Sequence, residues 1–363
     1  MTKLGHRAGQ LAASLLASAG LAGSAWAACD VTIKPDGNTA AIQHAMDKDL
    51  KRPVQVCLHP GVYRGARLLA TRSVVLRRLG KDKVVFDAGG QGRVLTIPQA
   101  GIRVTLEGIT LTNGKADRGG AVALVQARSL DLVDCWIYNN TATLLGGGAI
   151  SASAGELRLV RTRITSNFGE RASAIDLSGT AKARLVSTLV ADNEAKGSAD
   201  PPIRLSSAAQ LDLFASTVAY NGGSGIVLQP DGPGRRKLSV SSSIVMGKPD
   251  AITVQRAEVD DVRVDRSVLW GGIGWVALDM ASQKSLPGFN LKELERYRPE
   301  TGSVAIALGA CTAPDARKDL AGLPRGPRCT AGALEAPVAD IKATLAARKK
   351  DPKAQKPTSW EQL

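Results

Sequence analysis

The chain has 363 residues, a formal net charge of +14, five cysteines and only 4% aromatic residues. Past its first 27 residues no stretch is apolar enough to cross a membrane as a helix, which excludes a helical span in the rest of the chain. The basic excess favours acidic polysaccharide, anionic envelope or nucleic acid by long-range attraction, although the same excess also aids solubility.

Residues 1–27 read as an export signal. Lys3 and Arg7 form the basic start, Leu11 to Ala22 the apolar stretch, and Ala25, Trp26 and Ala27 the small-residue cleavage site. The mature chain then begins near Ala28. Loss of Lys3 and Arg7 leaves a charge of +12, and the stretch from Glu335 onward holds six basic and four acidic residues, so most of the excess belongs to the folded body. The destination is outside the cytoplasm: secreted, periplasmic or on the cell surface. In such an oxidising compartment cysteines pair. Cys29 is a disulfide partner or a lipid acceptor, and Trp26 stands where lipoprotein signals favour Leu. Cys29 and Cys57 bracket an N-terminal cap, residues 28–53. Cys311 and Cys329 enclose a 17-residue loop, and closing a loop of that length contributes about 3 kcal/mol in the chain-entropy model.

Within the cap, residues 39–50 place Ile42, Ala45, Met46 and Leu50 on one face behind Asn38 as N-cap, the pattern of a helix closing one end of the fold. His44 is a polar residue on that helix. His59, beside Pro60 and Gly61, is a turn residue.

Residues 54–283 carry one unit repeated seven times. Asn113, Asn140, Asn167, Asn193 and Asn221 close the phrases ITLTN, WIYNN, RITSN, LVADN and TVAYN at spacings of 27, 27, 26 and 28 residues, and SIVMG and SVLWG continue them to Gly247 and Gly271. Each unit holds short segments of period two, such as L130xL132 and L157xL159 in one row and I150xA152 and I175xL177 in another, which mark strands with one buried face. Like positions recur every 24 to 28 residues, so equivalent strands stack in parallel and the predicted fold is an all-β parallel β-helix solenoid with an N-terminal helical cap. The repeated asparagines form a structural ladder, each amide bonding to the next coil. Cys135 aligns with Gly108, Thr162, Thr188, Ser216, Ser242 and Arg266, mostly small residues, so it is expected as a buried thiol. Residues 284–336 lose the repeat and are expected to cover the far end. Residues 337–363 read as a helical turn or two followed by a flexible basic tail.

These phrases meet a family pattern. GGAV at 119–122 and GGAI at 147–150 resemble repeats of polymorphic outer-membrane proteins, and residues 54–280 resemble the right-handed parallel β-helix of the pectin-lyase-like superfamily. CDVTIKPDGNTAAIQHAM and VQVCLHPGVYR resemble that superfamily's N-terminal cap and first coil. The segment YRPETGSVAIALGACTAPDARKDLAGLPRGPRCTAGALE resembles the C-terminal segment of many exported β-helix proteins, with Ala307 and Leu308 where that pattern has Asp and Ala. The likeness is specific for fold and loose for function. An autotransporter barrel is not expected, because the residues after the repeats lack barrel-strand patterning.

The resemblance implies polysaccharide-lyase chemistry as one reading: an Arg or Lys base with calcium or another cation neutralising a uronate. Such a site needs clustered carboxylates on the outward face of one sheet. The outward rows read Thr105, Asp131, Arg158, Arg184, Asp212, Ser239, Arg263 and Ala123, Ser151, Asp176, Arg204, Val227, Thr253, Ala277. Neither assembles three carboxylates, no metal site is expected, and calcium enters only with the lyase reading. Asp176 and Arg204 are the catalytic candidates for that reading, under loops carrying Glu170, Arg171 and Lys196. Arg158 and Arg184, flanked by Asp131 and Asp212, form a charged column for an anionic sugar or a surface ion-pair ladder. Tyr220, Met246 and Trp270 stand on consecutive coils, with Trp275 nearby, as a sugar-stacking platform or as packing near a thin end. No pair of carboxylates is held to glycosidase geometry, and GGG at 146–148 precedes no helix, which excludes a phosphate loop. The functional expectation is a monomeric exported protein that binds acidic polysaccharide or envelope material without turnover. No nucleic-acid partner is expected. A lyase is the first alternative, and an adhesin or structural protein with a protein partner is the second.

Overall fold

The computed structural model describes residues 28–35, 39–197, 200–255, 260–273, 278–279, 282–289 and 296–350. The stretch read as an export signal, Asn38, Trp275, Ala277 and the end of the tail lie outside the described residues. The chain winds through three parallel sheets. Sheet A has ten strands, from Val31–Ile33 to Asp261–Asp265; sheet B has ten, from Gly61–Arg64 to Gln283–Lys284; sheet C has eight, from Leu68–Leu69 to Ile252–Val254. A short four-stranded ladder, Lys115–Ala116 to Glu194–Ala195, fills the path between B and C. The predicted all-β parallel solenoid is therefore the observed fold, and inward Leu, Ile and Val side chains from each coil, among them Leu132, Leu159, Leu185 and Leu213, stack into one continuous core. Each such side chain contributes about 1.5–3 kcal/mol by leaving water.

Each coil turns two corners by the same device. Leaving sheet A, the backbone passes through a left-handed residue at Gly108, Asp134, Arg161, Ser187, Ala215, Ser242 and Arg266. Leaving sheet B it does so at Asn113, Asn139, Ser166, Asp192 and Tyr220, with φ of 52° to 55°. The next residue points inward and stitches coils together. After sheet B that residue is Asn140, Asn167, Asn193 or Asn221. Asn140 Nδ2 donates to Asn167 Oδ1 at 3.0 Å, and Asn167 to Asn193 and Asn193 to Asn221 at 2.9 Å each. The same acceptor takes the backbone N–H of the preceding coil's Asn at 3.0 Å.

Asn113 is not part of this ladder. Thr112 pairs with Tyr138, so Asn113 aligns with Asn139 at the left-handed corner, and Gly114 holds the ladder position, donating its N–H to Asn140 Oδ1 at 2.8 Å. The doublet Asn139–Asn140 lets either residue close the repeated phrase, and choosing the second slips the register of the first coil by one.

A second ladder, of hydroxyls, follows sheet A. The N–H groups of Thr188, Ser216, Ser243 and Ser267 donate to the hydroxyls of Ser216, Ser243, Ser267 and Ser282 at 3.0–3.1 Å. Cys135 belongs to this column: its Sγ lies 3.4 Å from the carbonyls of Leu106 and Val133, as Thr162 Oγ1 bonds those of Leu132 and Val160. Its true equivalents include Ser243 and Ser267 rather than Ser242 and Arg266, again a shift of one at the corner. Burial pushes this free thiol up to about 12.

Helix α1, Ala40–Met46, buries Ile42, Ala45 and Met46 and closes the N-terminal end, with Gln43 exchanging side-chain bonds with the backbone of Leu69 at 2.9 Å. Thr39 occupies its N-cap, and the helix ends before Leu50, which is 40% exposed rather than on the buried face. Two disulfides are present, Cys29–Cys57 and Cys311–Cys329, with Cα–Cα distances of 5.7 and 5.8 Å.

The segment after the repeats corrects the expectation of an end cap. Its described residues turn back along the flank. Phe289, Tyr297, Ala305, Leu320, Ala331, Ala333 and Leu334 cover the outer face of sheet B at Leu189, Ala191, Ala219, Ile244, Met246 and Val268. Cys311, Ala316 and Cys329 cover Val160, Val186 and Ala215 at the A/B corner. Thr217 Oγ1 accepts from Ala333 N at 2.8 Å and Ser187 Oγ donates to Lys318 O at 2.9 Å, fixing this strap across the coils. The strap burial removes the outward apolar face that those coils would otherwise present to water. The tail then forms a helix α2, Val338–Lys350, longer than the one or two turns expected, with Ile341 and Leu345 against Ile306, Ala307 and Ala336.

Candidate functional site

The two outward rows read from the sequence are the rows in the structure, through Asp131↔Arg158↔Arg184↔Asp212 and Ser151↔Asp176↔Arg204↔Val227. What they face differs from a ligand groove. Arg204, 3% exposed, donates Nη1 to Asp176 Oδ1 at 2.5 Å and Nη2 to Asp231 Oδ2 at 2.6 Å, and its Nε bonds Gln229. Arg171 bonds the same Asp231, whose carboxyl is held below the usual range by the Arg204 hydrogen bond above all. A guanidinium bound on all three nitrogens and shut from solvent offers nothing to a substrate proton, whereas a buried ion pair of this geometry locks adjacent coils. Glu170 and Lys196 form a surface pair at 3.0 Å beside it.

Arg158 and Arg184 also carry partners. Asp315 of the strap lies 3.5 Å from Arg158 Nη2 and 3.4 Å from Arg184 Nε, Asp131 is 3.7 Å from Arg158, and Arg184 pairs with Asp212. Each guanidinium keeps about 40% of its side chain exposed, so the column is a clasp between strap and sheet A with its outer edges in water.

Tyr220 and Trp270 are not brought together. Tyr220 stands at a left-handed corner, and its ring packs 6.0 Å from both Phe289 and Tyr297 of the strap. Met246, buried, pairs in register with Trp270, which is 39% exposed one coil on. Tyr297 donates its hydroxyl to Asp192 at 2.5 Å, and burial pushes that phenol up to about 12. This group packs the strap against sheet B.

A further aromatic pair stands on sheet B two coils before Leu189, where the described part of the strap begins to cover that sheet. On sheet B, outward positions run Val85, Thr110, Trp136, Arg163 in one row and Asp87, Thr112, Tyr138, Thr165 in the next. Trp136 and Tyr138, two residues apart on one strand and therefore on one face, have ring centroids 4.4 Å apart and tilted by 35°. Both are partly exposed. Trp136 Nε1 donates to Thr165 at 2.8 Å, which fixes the indole against the sheet. Lys83 lies over the indole at 5.4 Å, and Arg163 is its neighbour on the next coil. An exposed cation over a ring is worth about 0.5–1 kcal/mol, so Lys83 is free to turn toward a stronger anionic partner.

Directly beyond Tyr138 lies an open groove of about 420 Å³ lined by Asp87, Gly89, Gly90, Asn113, Gly114, Lys115, Asn139 and Thr141. Asp87 Oδ1 accepts from Gly89 N and Asn113 Nδ2, both at 2.9 Å. Gly89 and Gly90 sit at φ of 61° and 74°, and no atom lies within 4 Å of where their Cβ would be, so their side of the groove is open. The pair Trp136 and Tyr138 was readable as alternating outward aromatics in WIY, but a search for aromatics on consecutive coils passes over two on one strand.

Among the described residues no group of three or more His, Cys, Asp or Glu side chains is placed to hold a metal ion, and no helix is long and apolar enough to cross a membrane. In comparisons with known proteins, no family model, no curated protein and no solved structure matches the chain.

Proposed function

We propose that this is an exported β-helix protein that binds acidic polysaccharide or cell-envelope material without turning it over. The observation that carries this reading is the Trp136–Tyr138 platform with Lys83 and Arg163 at its edges. Aromatic faces take the C–H face of a sugar ring, and cations on the rim meet its carboxylate. Net basic charge adds long-range attraction that salt screens. The two disulfides suit an oxidising compartment outside the cytoplasm. The GGAV and GGAI phrases, with their likeness to outer-membrane repeats, suit a surface or envelope setting. Binding is preferred over lyase chemistry because Arg204 is enclosed by its carboxylate partners.

The test is affinity for a panel of polyuronates and glycosaminoglycans at two salt concentrations, with the ultraviolet absorbance of unsaturated uronates followed in parallel. Binding that weakens with salt and falls at least several-fold in Trp136→Ala, with no rise in absorbance, supports the reading. Turnover, or binding indifferent to Trp136, defeats it.

A further inference from the structure

The platform and the groove differ in chemistry, and the difference bears on which polysaccharide is bound. Lys83 and Arg163 make the platform cationic. In the groove the formal charges of Asp87 and Lys115 cancel. The polar atoms left there are of both kinds. Among the described residues Asp87 Oδ2, Asn113 Oδ1, the Asn139 amide and the Lys115 ammonium make no hydrogen bond, although Asp87 Oδ1 and Asn113 Nδ2 are fixed by bonds to Gly89 and to each other. A carboxylate oxygen and an amide held rigid in this way suit hydroxyls, which donate and accept, and they repel a second carboxylate, which only accepts. Tyr138 and Asn139 are adjacent in the chain, so platform and groove meet edge to edge and neighbouring units of one saccharide chain would fill both.

We infer that the groove formed by Asp87, Asn113, Asn139 and Lys115 takes a neutral, hydroxyl-rich sugar next to the acidic unit on Trp136 and Tyr138, so that the ligand is a polysaccharide alternating acidic and neutral units rather than a homopolyuronate. This inference rests on the binding reading above and adds the class of ligand. The left-handed corner at Asn139 serves it: the turn carries the side chain outward into the groove while Asn140 turns inward to the ladder.

The test compares oligosaccharides of hyaluronan, in which glucuronate alternates with a neutral amino sugar, with oligogalacturonates carrying the same number of carboxylates, by calorimetry on the mature chain. The expected result is a preference of about tenfold or more for the alternating oligomer. In the double variant Asp87→Asn, Asn139→Ala, with an unchanged unfolding midpoint as control, that preference falls to near parity, the alternating oligomer losing affinity while galacturonate, relieved of the Asp87 carboxylate, holds or gains. Equal affinity of the native protein for both oligomers, or a parallel loss of both in the double variant, overturns the inference and leaves the binding reading standing. No binding of either oligomer overturns both.

Discussion

Asn193 Oδ1 takes two hydrogen bonds from one residue, Asn167, from its backbone N–H at 3.0 Å and its Nδ2 at 2.9 Å. Asn193 Nδ2 in turn donates to the carbonyls of Ile164 and Ala191, both at 3.0 Å. Asn193→Ala leaves the Asn167 N–H without its acceptor and takes the amide donor from three acceptors, Ile164 O, Ala191 O and Asn221 Oδ1, at a position with no solvent access. At about 1 kcal/mol for each lost partner the variant should be about 3–4 kcal/mol less stable, read as a lower urea midpoint at unchanged slope. A change under about 1 kcal/mol would mean that the ladder does not hold the coils together.

The Arg204 pair gives an asymmetric prediction. Arg204→Ala leaves Asp176, 6% exposed, without its guanidinium and should cost about 3–5 kcal/mol, whereas Asp176→Leu with Arg204→Met removes both charges and should cost clearly less. Urea unfolding of the single and double variants measures both. Equal losses would argue against a buried, coil-locking pair.

Cys135 should be inert in the folded protein. Burial holds its thiol up near 12, so a thiol reagent at about neutral pH should react only on unfolding, at the rate of unfolding. Cys135→Ser should be tolerated within about 1 kcal/mol, since Thr162, Thr188 and Ser216 fill the same column with hydroxyls. Fast labelling of the native state would place the thiol at the surface instead.

Asp30 supplies a pH dependence. Its hydrogen bond to Arg52 lowers the carboxyl from 3.8 to about 2. A group whose folded value is depressed adds stability that is present above the unfolded value and lost as pH falls through the folded one. The stability difference between the native protein and Asp30→Asn should therefore be constant above about pH 5 and shrink between about pH 4 and pH 2. A difference that is flat across this range would contradict the pairing.

The repeat made the sheets and their outward rows legible, because side-chain direction has a period of two and a row is fixed once one pair is aligned. The corners were less legible. Asn113 and Asn140 look alike in the phrase, yet one stands at a left-handed turn and the other inside it, a distinction of backbone angle with no mark in residue type. The hydroxyl ladder through Ser216, Ser243 and Ser267 was hidden because Ser and Thr are frequent everywhere. The strap was hidden for another reason. Asp315 reaches Arg158 across 157 positions, and Tyr297 reaches Asp192 across 105. No local pattern encodes such contacts, which turned the Arg158 and Arg184 column into a clasp and drew Tyr220 into packing. Trp136 and Tyr138 stay partly exposed, and among the described residues the strap covers sheet B only from Leu189 onward, two coils away.

The central claim is that Trp136 and Tyr138 form the surface that holds an acidic polysaccharide. Its most direct measurement is calorimetric titration of the native protein and of Trp136→Ala and Tyr138→Ala with one acidic oligosaccharide at low salt. Each ring is expected to contribute about 0.5–1.5 kcal/mol beyond its area, so each variant should bind at least several-fold more weakly while still unfolding in one cooperative transition well above the assay temperature. Unaltered affinity in both variants would contradict the account.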